Sequence, residues 1–364
     1  MREARIENVV RHMKAEGVSQ LLISDPVSIY YLTGKYEEPG ERFYALYLTT
    51  DGQKMIFMNH MFIDFEAEGI RKVWYGDTDA PADLVRRYLN PDAILGVDKN
   101  LPARFLLPMQ ESKAAAGFVN ASVCVDAVRA VKEPVEQNLM ADVSHINDLA
   151  MEEFKKLIVS GVTEKEVAEQ MLGIYRALGA EDHSFTPIVA FGANAASSHH
   201  MPDDTVLQEG DCVLYDVGCR KDMYCADMTR TFFYSSVSAE HERIYQLVKQ
   251  ANEAAIAKLA PGIPLSELDK AARDVIAEAG YGDRFTHRLG HFIGLDVHEA
   301  GDVSAANTAL TQPGMIFSIE PGIYLEGDVG VRIEDLVMIT QEGGVRLNQY
   351  SKELEVLGGG SKIR

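Results

Sequence analysis

Two aspartates stand where strands should run. Asp216 sits in Val213-Leu214-Tyr215-Asp216-Val217 and Asp227 in Tyr224-Cys225-Ala226-Asp227-Met228-Thr229. Aspartate is disfavoured inside strands, so each breaks a local rule. If the two runs form a hairpin turning at Lys221-Asp222, the carboxylates fall directly opposite each other. Like charges in that position destabilise a sheet unless a cation lies between them. Taken singly, either aspartate could cap a turn or pair with Arg220 or Arg230. The pattern recurs downstream. Glu320 ends Ile316-Phe317-Ser318-Ile319, Glu334 lies in Val331-Arg332-Ile333-Glu334-Asp335-Leu336, and Gly327 of the turn-like Glu326-Gly327-Asp328 is their midpoint. Strand alternation puts Arg332 on the face of Glu334, where an ordinary arginine–carboxylate pair is the plain alternative.

Between these acidic hairpins, the segment from His287 to Glu299 holds His287, His291 and His298. Two histidines four apart could bind a metal from a helix, but Gly290 and Gly294 argue for an extended or irregular backbone and no HExxH is present. A lone histidine is commonly structural; a cluster beside four strand carboxylates reads as part of a site. Four carboxylates are neutralised by two divalent cations, whereas one ion leaves two negative charges in a pocket. Four oxygen donors and an imidazole suit Mn, Co, Zn or Fe(II) and disfavour Ca. Two such ions roughly 3.5 to 4 Å apart share a water, lower its pKa and clamp both the attacking oxygen and a polarised carbonyl. Hydrolysis is the chemistry this predicts.

The elements that must carry these side chains are legible in outline. Ile6, Val9, Val10 and Met13 recur at helical spacing and Gly17 follows, which predicts a helix over about 3–16. Strand-forming runs follow at 21–23, 43–48, 55–58, 71–75, 94–97 and 119–125, with helices near 81–89 and 102–109, an α/β pattern. At Lys132-Glu133-Pro134 the pattern changes. Leu139, Val143, Ile146, Ala150, Phe154 and Leu157 mark a long helix ending by Gly161, and a domain boundary is expected just before it. Thr163 with Glu166 fits a capping box, Ser238 starts another helix that ends at Pro261-Gly262, and Ser266 with Asp269 repeats the capping arrangement. Strands are expected at 212–217, 224–234, 315–319 and 333–339, an α+β pattern.

Composition limits the function classes. The 364 residues make room for two domains with a large core. Lys and Arg number 35 against 55 Asp and Glu, a formal net charge of −20 that repels phosphate backbones and anionic lipid. No nucleic-acid or membrane partner is expected. Cys124, Cys212, Cys219 and Cys225 lack CxxC spacing and read as free thiols of a reducing compartment. No signal peptide and no apolar run of membrane-spanning length is visible, so a cytoplasmic location is expected.

The ordered motifs Asp216-Val217-Gly218, Asp227-Met228-Thr229-Arg230-Thr231, His287-Arg288-Leu289-Gly290-His291, Ser318-Ile319-Glu320-Pro321-Gly322-Ile323-Tyr324 and Gly330-Val331-Arg332-Ile333-Glu334-Asp335 resemble those of the pita-bread metallopeptidases. Within that family the chain is most similar to bacterial prolidase (Xaa-Pro dipeptidase) and to aminopeptidase P. The resemblance implies a creatinase-like α/β N-terminal domain over 1–125 with a mixed sheet and flanking helices, a linker at 126–131 and an α+β pita-bread catalytic domain over 132–364. It implies that Asp216, Asp227, His291, Glu320 and Glu334 bind two divalent ions, most commonly Mn, with Asp227 and Glu334 bridging. Glu320 would also handle the proton of the attacking water. His199, in Ser197-Ser198-His199-His200-Met201-Pro202, and His298 would hold substrate and intermediate, with Tyr324 and Arg332 orienting ligands and substrate and His287 lining the cleft. His200 reads as a solvated neighbour.

Departures from the family pattern, Ser198, Met223 and Phe292, touch no ligand. Arg288 replaces a frequent glycine of aminopeptidase P and would favour a free C-terminal carboxylate, hence dipeptides. The expectation is metal-dependent hydrolysis of the bond before proline in small proline-containing peptides by a homodimer. Aminopeptidase P activity on Xaa-Pro-Yaa peptides is the nearest alternative, and an inactive peptide-binding module is the alternative of another class. Methionine aminopeptidases typically lack the N-terminal domain, and creatinase works without metal.

Overall fold

The computed structural model of the chain describes residues 2–358, so Met1 and the end of the expected catalytic domain, 359–364, lie outside the described residues. Two compact units meet along the chain at Arg129 and Ala130. Among the described residues no helix is long and apolar enough to cross a membrane.

The first unit opens with α1 (Arg2–Ala15), whose Ile6, Val9 and Met13 form the expected buried stripe. It continues through β1 (Gln20–Ile23), α2 (Pro26–Thr33), β2 (Ala45–Thr49), β3 (Lys54–Asn59), β4 (Arg71–Tyr75), α3 (Pro81–Arg86), β5 (Ile94–Val97), α4 (Ala103–Glu111), β6 (Gly117–Asn120) and α5 (Val123–Ala130). The strands form one mixed sheet in the order β4-β3-β2-β1-β5-β6. Its β1–β2 and β2–β3 pairs are antiparallel, and β1–β5, β5–β6 and β3–β4 are parallel. Two local readings of the sequence fail here. Hydrophobic periodicity does not announce α2, yet its punctuation is complete: Asp25 accepts from the Ser28 N–H, Pro26 takes the first position, and Gly34 ends it at φ 83°. The strand expected over 119–125 stops at Asn120, whose side chain accepts the Ser122 N–H and turns the chain into α5. That helix runs through most of the expected linker.

The second unit contains α6 (Pro134–Lys155), α7 (Glu164–Ala177), β7 (Asp182–His183), β8 (Ile188–Phe191), β9 (Cys212–Val217), β10 (Cys219–Lys221), β11 (Tyr224–Cys225), β12 (Met228–Tyr234), α8 (Ala239–Ile256) and α9 (Leu265–Glu278). After these come β13 (Gly290–Phe292), β14 (Glu299–Val303), β15 (Ile316–Ile319), β16 (Gly322–Leu325), β17 (Val329–Arg332), β18 (Asp335–Ile339), β19 (Gly344–Arg346) and β20 (Val356–Leu357). The two larger sheets run β20-β12-β9-β8 and β14-β13-β15-β18-β19. Their inner faces share one core with α8 and α9, including Leu214, Tyr245, Leu268, Phe317 and Val331. Truncating a fully buried aromatic such as Phe317, packed on Phe292 at 5.5 Å, costs about 3–5 kcal/mol. The Thr163 capping box and the Ser238 cap are present. The Ser266–Asp269 cap is not: α9 begins two residues earlier, after Pro264, and buried Asp269 instead grips Arg273 through two hydrogen bonds.

The acidic hairpins differ in detail from the sequence expectation. In the first, Lys221 pairs with Tyr224, so the turn is Asp222-Met223, with φ 51° and 71°. Two left-handed residues define the hairpin turn whose twist matches that of the flanking strands. Shifting the turn centre by one residue places Asp216 opposite Thr229, and Asp227 lies two residues before that partner, beyond the end of β12. The second hairpin follows the expected register. Ile319 pairs with Asp335 on one side of a gap and Gly322 with Arg332 on the other, about a turn at Gly327. Glu320 and Glu334 face each other in that gap.

Candidate active site

Asp227, Glu320 and Glu334 stand where a strand ends or breaks, whereas Asp216 stays within β9, paired with Ile188 on one side and Thr229 on the other. The Glu320 N–H donates to the Leu289 carbonyl at 2.8 Å, tying it to the chain that carries His291. The Glu334 N–H donates to the Thr229 carbonyl at 3.1 Å, tying it to β12 and so to the aspartate hairpin. Gly290, just before His291, permits this approach: a Cβ there would lie 1.9 Å from the Ser318 carbonyl oxygen. Ser318 Oγ accepts from the His291 N–H and donates to Glu320, both at 3.0 Å.

His291 is the centre of the cluster. Its Nε2 lies 3.5 Å from Asp227 Oδ2, 3.5 Å from Glu320 Oε1 and 3.9 Å from Glu334 Oε1. Its Nδ1 faces the Phe292 carbonyl at 3.3 Å, which gives the Nδ1–H tautomer and leaves Nε2 turned toward the carboxylates. The Asp227 Oδ1 and Glu334 Oε1 atoms are buried without a hydrogen-bond partner. Burial pushes both carboxyls well above the usual range, and the neighbouring carboxylates add to the shift. Orphaned buried carboxylate oxygens clustered with an imidazole are what divalent cations would satisfy, so the donor set fits metal.

Arg332 does not pair with Glu334. Its Nη2 donates to Asp216 Oδ2 at 2.6 Å, Nη1 to the Tyr324 hydroxyl at 2.9 Å and Nε to Thr229 Oγ1 at 3.1 Å. Thr229 Oγ1 donates onward to Glu334 Oε2 at 2.7 Å, so the arginine reaches Glu334 through a hydroxyl. Tyr324 in turn lies 2.9 Å from His287 Nε2, and His287 Nδ1 lies 2.8 Å from the Arg288 carbonyl. Because that carbonyl can only accept, Nδ1 carries the proton and Nε2 accepts from Tyr324. Burial holds His287 below the ordinary histidine pKa.

Every residue given a ligand, catalytic or substrate-binding role from the sequence except Tyr324 lines one cleft of about 590 Å³. Tyr324 lies behind the wall, bonded to two residues that line it. Phe185, Ile188, Met201 and Val297 give the cleft an apolar part. His298 stands edge-on to His291 at 4.3 Å, and burial together with that neighbour lowers its pKa. His199 is exposed on the loop after a 3₁₀ turn, Gly192–Ala196. His200 is not a solvated neighbour: its Nε2 lies 2.6 Å from the buried Glu164 carboxylate.

Sequence reasoning missed Thr229, Ser318, Glu164 and Asn252. Fully buried Asn252 donates to the Ile319 and Ile333 carbonyls at 2.9 and 3.3 Å, immediately before the two glutamates, and accepts from Lys352 at 2.7 Å. Its signal was available: an amide interrupts the apolar stripe Ile244, Val248, Ala251, Ala255.

Residues 138–341 match metallopeptidase family M24, and residues 5–131 match the creatinase/prolidase N-terminal domain. YkvY of Bacillus subtilis, named provisionally as a dipeptidase, is 35% identical over 365 residues, covering 97% of this chain and 99% of its own. The prolidase of Thermococcus sibiricus superposes with a TM-score of 0.92 at 32% identity, over 98% of this chain and 99% of its own. A dipeptidase from Pyrococcus horikoshii gives 0.91 at 32% identity, over 97% and 100%. With a creatinase-type α/β domain leading into a pita-bread domain that gathers four carboxylates and a histidine, the chain belongs to metallopeptidase family M24.

Proposed function

We propose that this metallopeptidase hydrolyses the imide bond before proline in Xaa-Pro dipeptides, with Asp216, Asp227, His291, Glu320 and Glu334 as ligands of two divalent ions. The observation that carries the reading is the pair of orphaned buried oxygens, Asp227 Oδ1 and Glu334 Oε1, on the two carboxylates clustered with His291 in a peptide-sized cleft. Manganese as the metal and a homodimer are further parts of the proposal, resting on family resemblance, and a cytoplasmic location rests on the four free cysteines.

Bound divalent ions would supply an activated water at neutral pH and polarise the scissile carbonyl. The chain's own residues do the rest. Glu320, at the cleft wall and hydrogen-bonded to Ser318, takes the proton released as the water attacks and delivers it to the proline nitrogen, which must be protonated to leave. His199 and His298 hold the peptide and donate to the oxygen on which charge develops. Arg332 fixes Asp216 directly and Glu334 through Thr229, so a ligand from each hairpin keeps its orientation. Arg288 is exposed on the cleft and would pair with a free C-terminal carboxylate.

The test is a release assay on a Xaa-Pro dipeptide and a Xaa-Pro-Yaa tripeptide, with Mn added and with a chelator control. Cleavage of the dipeptide alone, abolished by chelator, is the expected result. Preference for the tripeptide makes the protein an aminopeptidase P. Cleavage of neither refutes the reading and leaves a peptide-binding module.

A further inference from the structure

Glu164, the first residue of α7, is fully buried and plays no part in the chemistry above. Its carboxylate gathers three separate pieces of chain. Oε1 accepts from the Phe191 N–H at the end of β8 and from Asn194 Nδ2 in the 3₁₀ turn, at 2.7 and 3.0 Å. Oε2 accepts from the Asp203 N–H at 3.1 Å and faces His200 Nε2 at 2.6 Å. A carboxylate can only accept from that nitrogen, so His200 Nε2 carries a proton. Glu164, His200 and Asp203 together have the composition of a metal site. Hydrogen bonding argues otherwise, since each Glu164 oxygen already has two N–H donors.

The same contacts frame the loop that carries His199. Upstream, the 3₁₀ turn is pressed against β17, where a Cβ on Gly330 would lie 1.7 Å from the Ala195 carbonyl oxygen. Downstream, Lys165 and Glu164 N–H groups donate to the Asp203 and Thr205 carbonyls. Between these fixed ends, Ser198, His199 and Met201 line the cleft, while His200 turns away from it to Glu164. We propose that the Glu164–His200 pair is a latch that positions His199 on the cleft wall. Glu164 and His200 are positioning residues: neither touches substrate, and they act by holding the loop 197–203 in one conformation. The proposal rests on the reading of His199 as a substrate-contacting residue.

His200 is half-buried, so its replacement spares the core. The experiment compares wild type, His200→Leu, His200→Gln, His199→Ala and the double variant His199→Ala/His200→Leu. All are manganese-loaded and assayed on the fastest-cleaved peptide of the panel above, with bound metal measured for each. His200→Leu is expected to raise KM about 10- to 100-fold at unchanged metal content, because loss of the latch misplaces His199. His200→Gln, whose amide can still donate to Glu164, recovers most of the loss. The double variant is no worse than His199→Ala, since the latch acts only through His199. A purely structural role would lower kcat through a smaller folded fraction and leave KM in place, and that result overturns the latch. Losses that multiply in the double variant overturn it as well. If His199→Ala is damaging and His200→Leu leaves KM unmoved, the latch alone fails and the reading of the cleft stands. If His199→Ala changes nothing, both fail.

Discussion

Replacing Asp227 by asparagine should move stability in opposite directions with and without metal. The metal-free site buries Asp227 Oδ1 and Glu334 Oε1 without partners and crowds them with the Asp216 and Glu320 carboxylates. Whether the wild type keeps these charges or takes up protons to remove them, the folded state bears the cost. Asparagine is isosteric, removes one charge and brings an NH₂ donor into a cluster whose ligand atoms lie within 4.8 Å of one another. A hydrogen bond to a charged group contributes about 1.5–3 kcal/mol; the lower figure raises the chelator-treated unfolding midpoint by about 3–6 °C for a unit of this size. With metal the order reverses. Wild type at a hundred times its dissociation constant gains about 2.7 kcal/mol. A ligand change that weakens binding about 100-fold leaves roughly 0.4 kcal/mol of that gain. The summed effect puts the variant below wild type in manganese and above it in chelator. Thermal melts in both media, with bound metal and peptide release measured alongside, check the crossing. A variant less stable than wild type in chelator would refute the charge argument, and one fully metallated and fully active would refute the assignment of Asp227 as a ligand.

Other outcomes are expected from single contacts. On the proposed pairing of Arg288 with a terminal carboxylate, Arg288→Ala should raise KM for the dipeptide about 10- to 100-fold and leave the tripeptide unaffected. Steady-state kinetics on both peptides decide this. Met223→Gly relieves a non-glycine residue at φ 71° and should stabilise the protein by about 0.5–1 kcal/mol in denaturant titrations, with kcat unchanged. Lys132→Met removes from Glu299 its ion-pair partner at 2.9 Å, in a site where both side chains are almost wholly buried. The expected loss is about 3–5 kcal/mol by the same titration. It is accompanied by a KM effect, because Glu299 also accepts the Leu295 N–H in the loop leading to His298.

What could be read from sequence divides along a physical line. The Glu320–Glu334 register was legible because Gly327 marks its turn and the same pairing runs on both sides of the gap. The aspartate hairpin was misread by one residue because the turn holds Asp222-Met223 in left-handed backbone, and methionine gives no sign of that conformation. The carboxylates and His291 stood out because charge inside strands breaks a local rule. The plain alternative that pairs Arg332 with Glu334 fails because alternation along one strand is blind to Asp216 on another sheet. The Glu164–His200 contact was missed for the same reason: a helix N-terminus and a loop 36 residues later meet only in three dimensions. Local rules find residues that violate them; partners come from topology.

The gap between the β15–β18 and β16–β17 ladders explains how such a charged site coexists with a stable fold. Inside a continuous ladder, two facing glutamates would repel with nothing to hold the backbone against them. Here their N–H groups leave the ladder for the Leu289 and Thr229 carbonyls, and the carbonyls of the preceding residues, Ile319 and Ile333, accept from Asn252. The backbone is thereby fully engaged by groups that do not depend on metal. The repulsion is confined to side-chain atoms at the end of the cleft, where a cation can relieve it. It follows that removing metal should lower the unfolding midpoint without loosening the strands. Hydrogen exchange at Glu320 and Glu334 is therefore expected to stay slow in chelator, whereas fast exchange there would mean that metal, and not the Asn252 amide and its cross-links, holds the two ladders together.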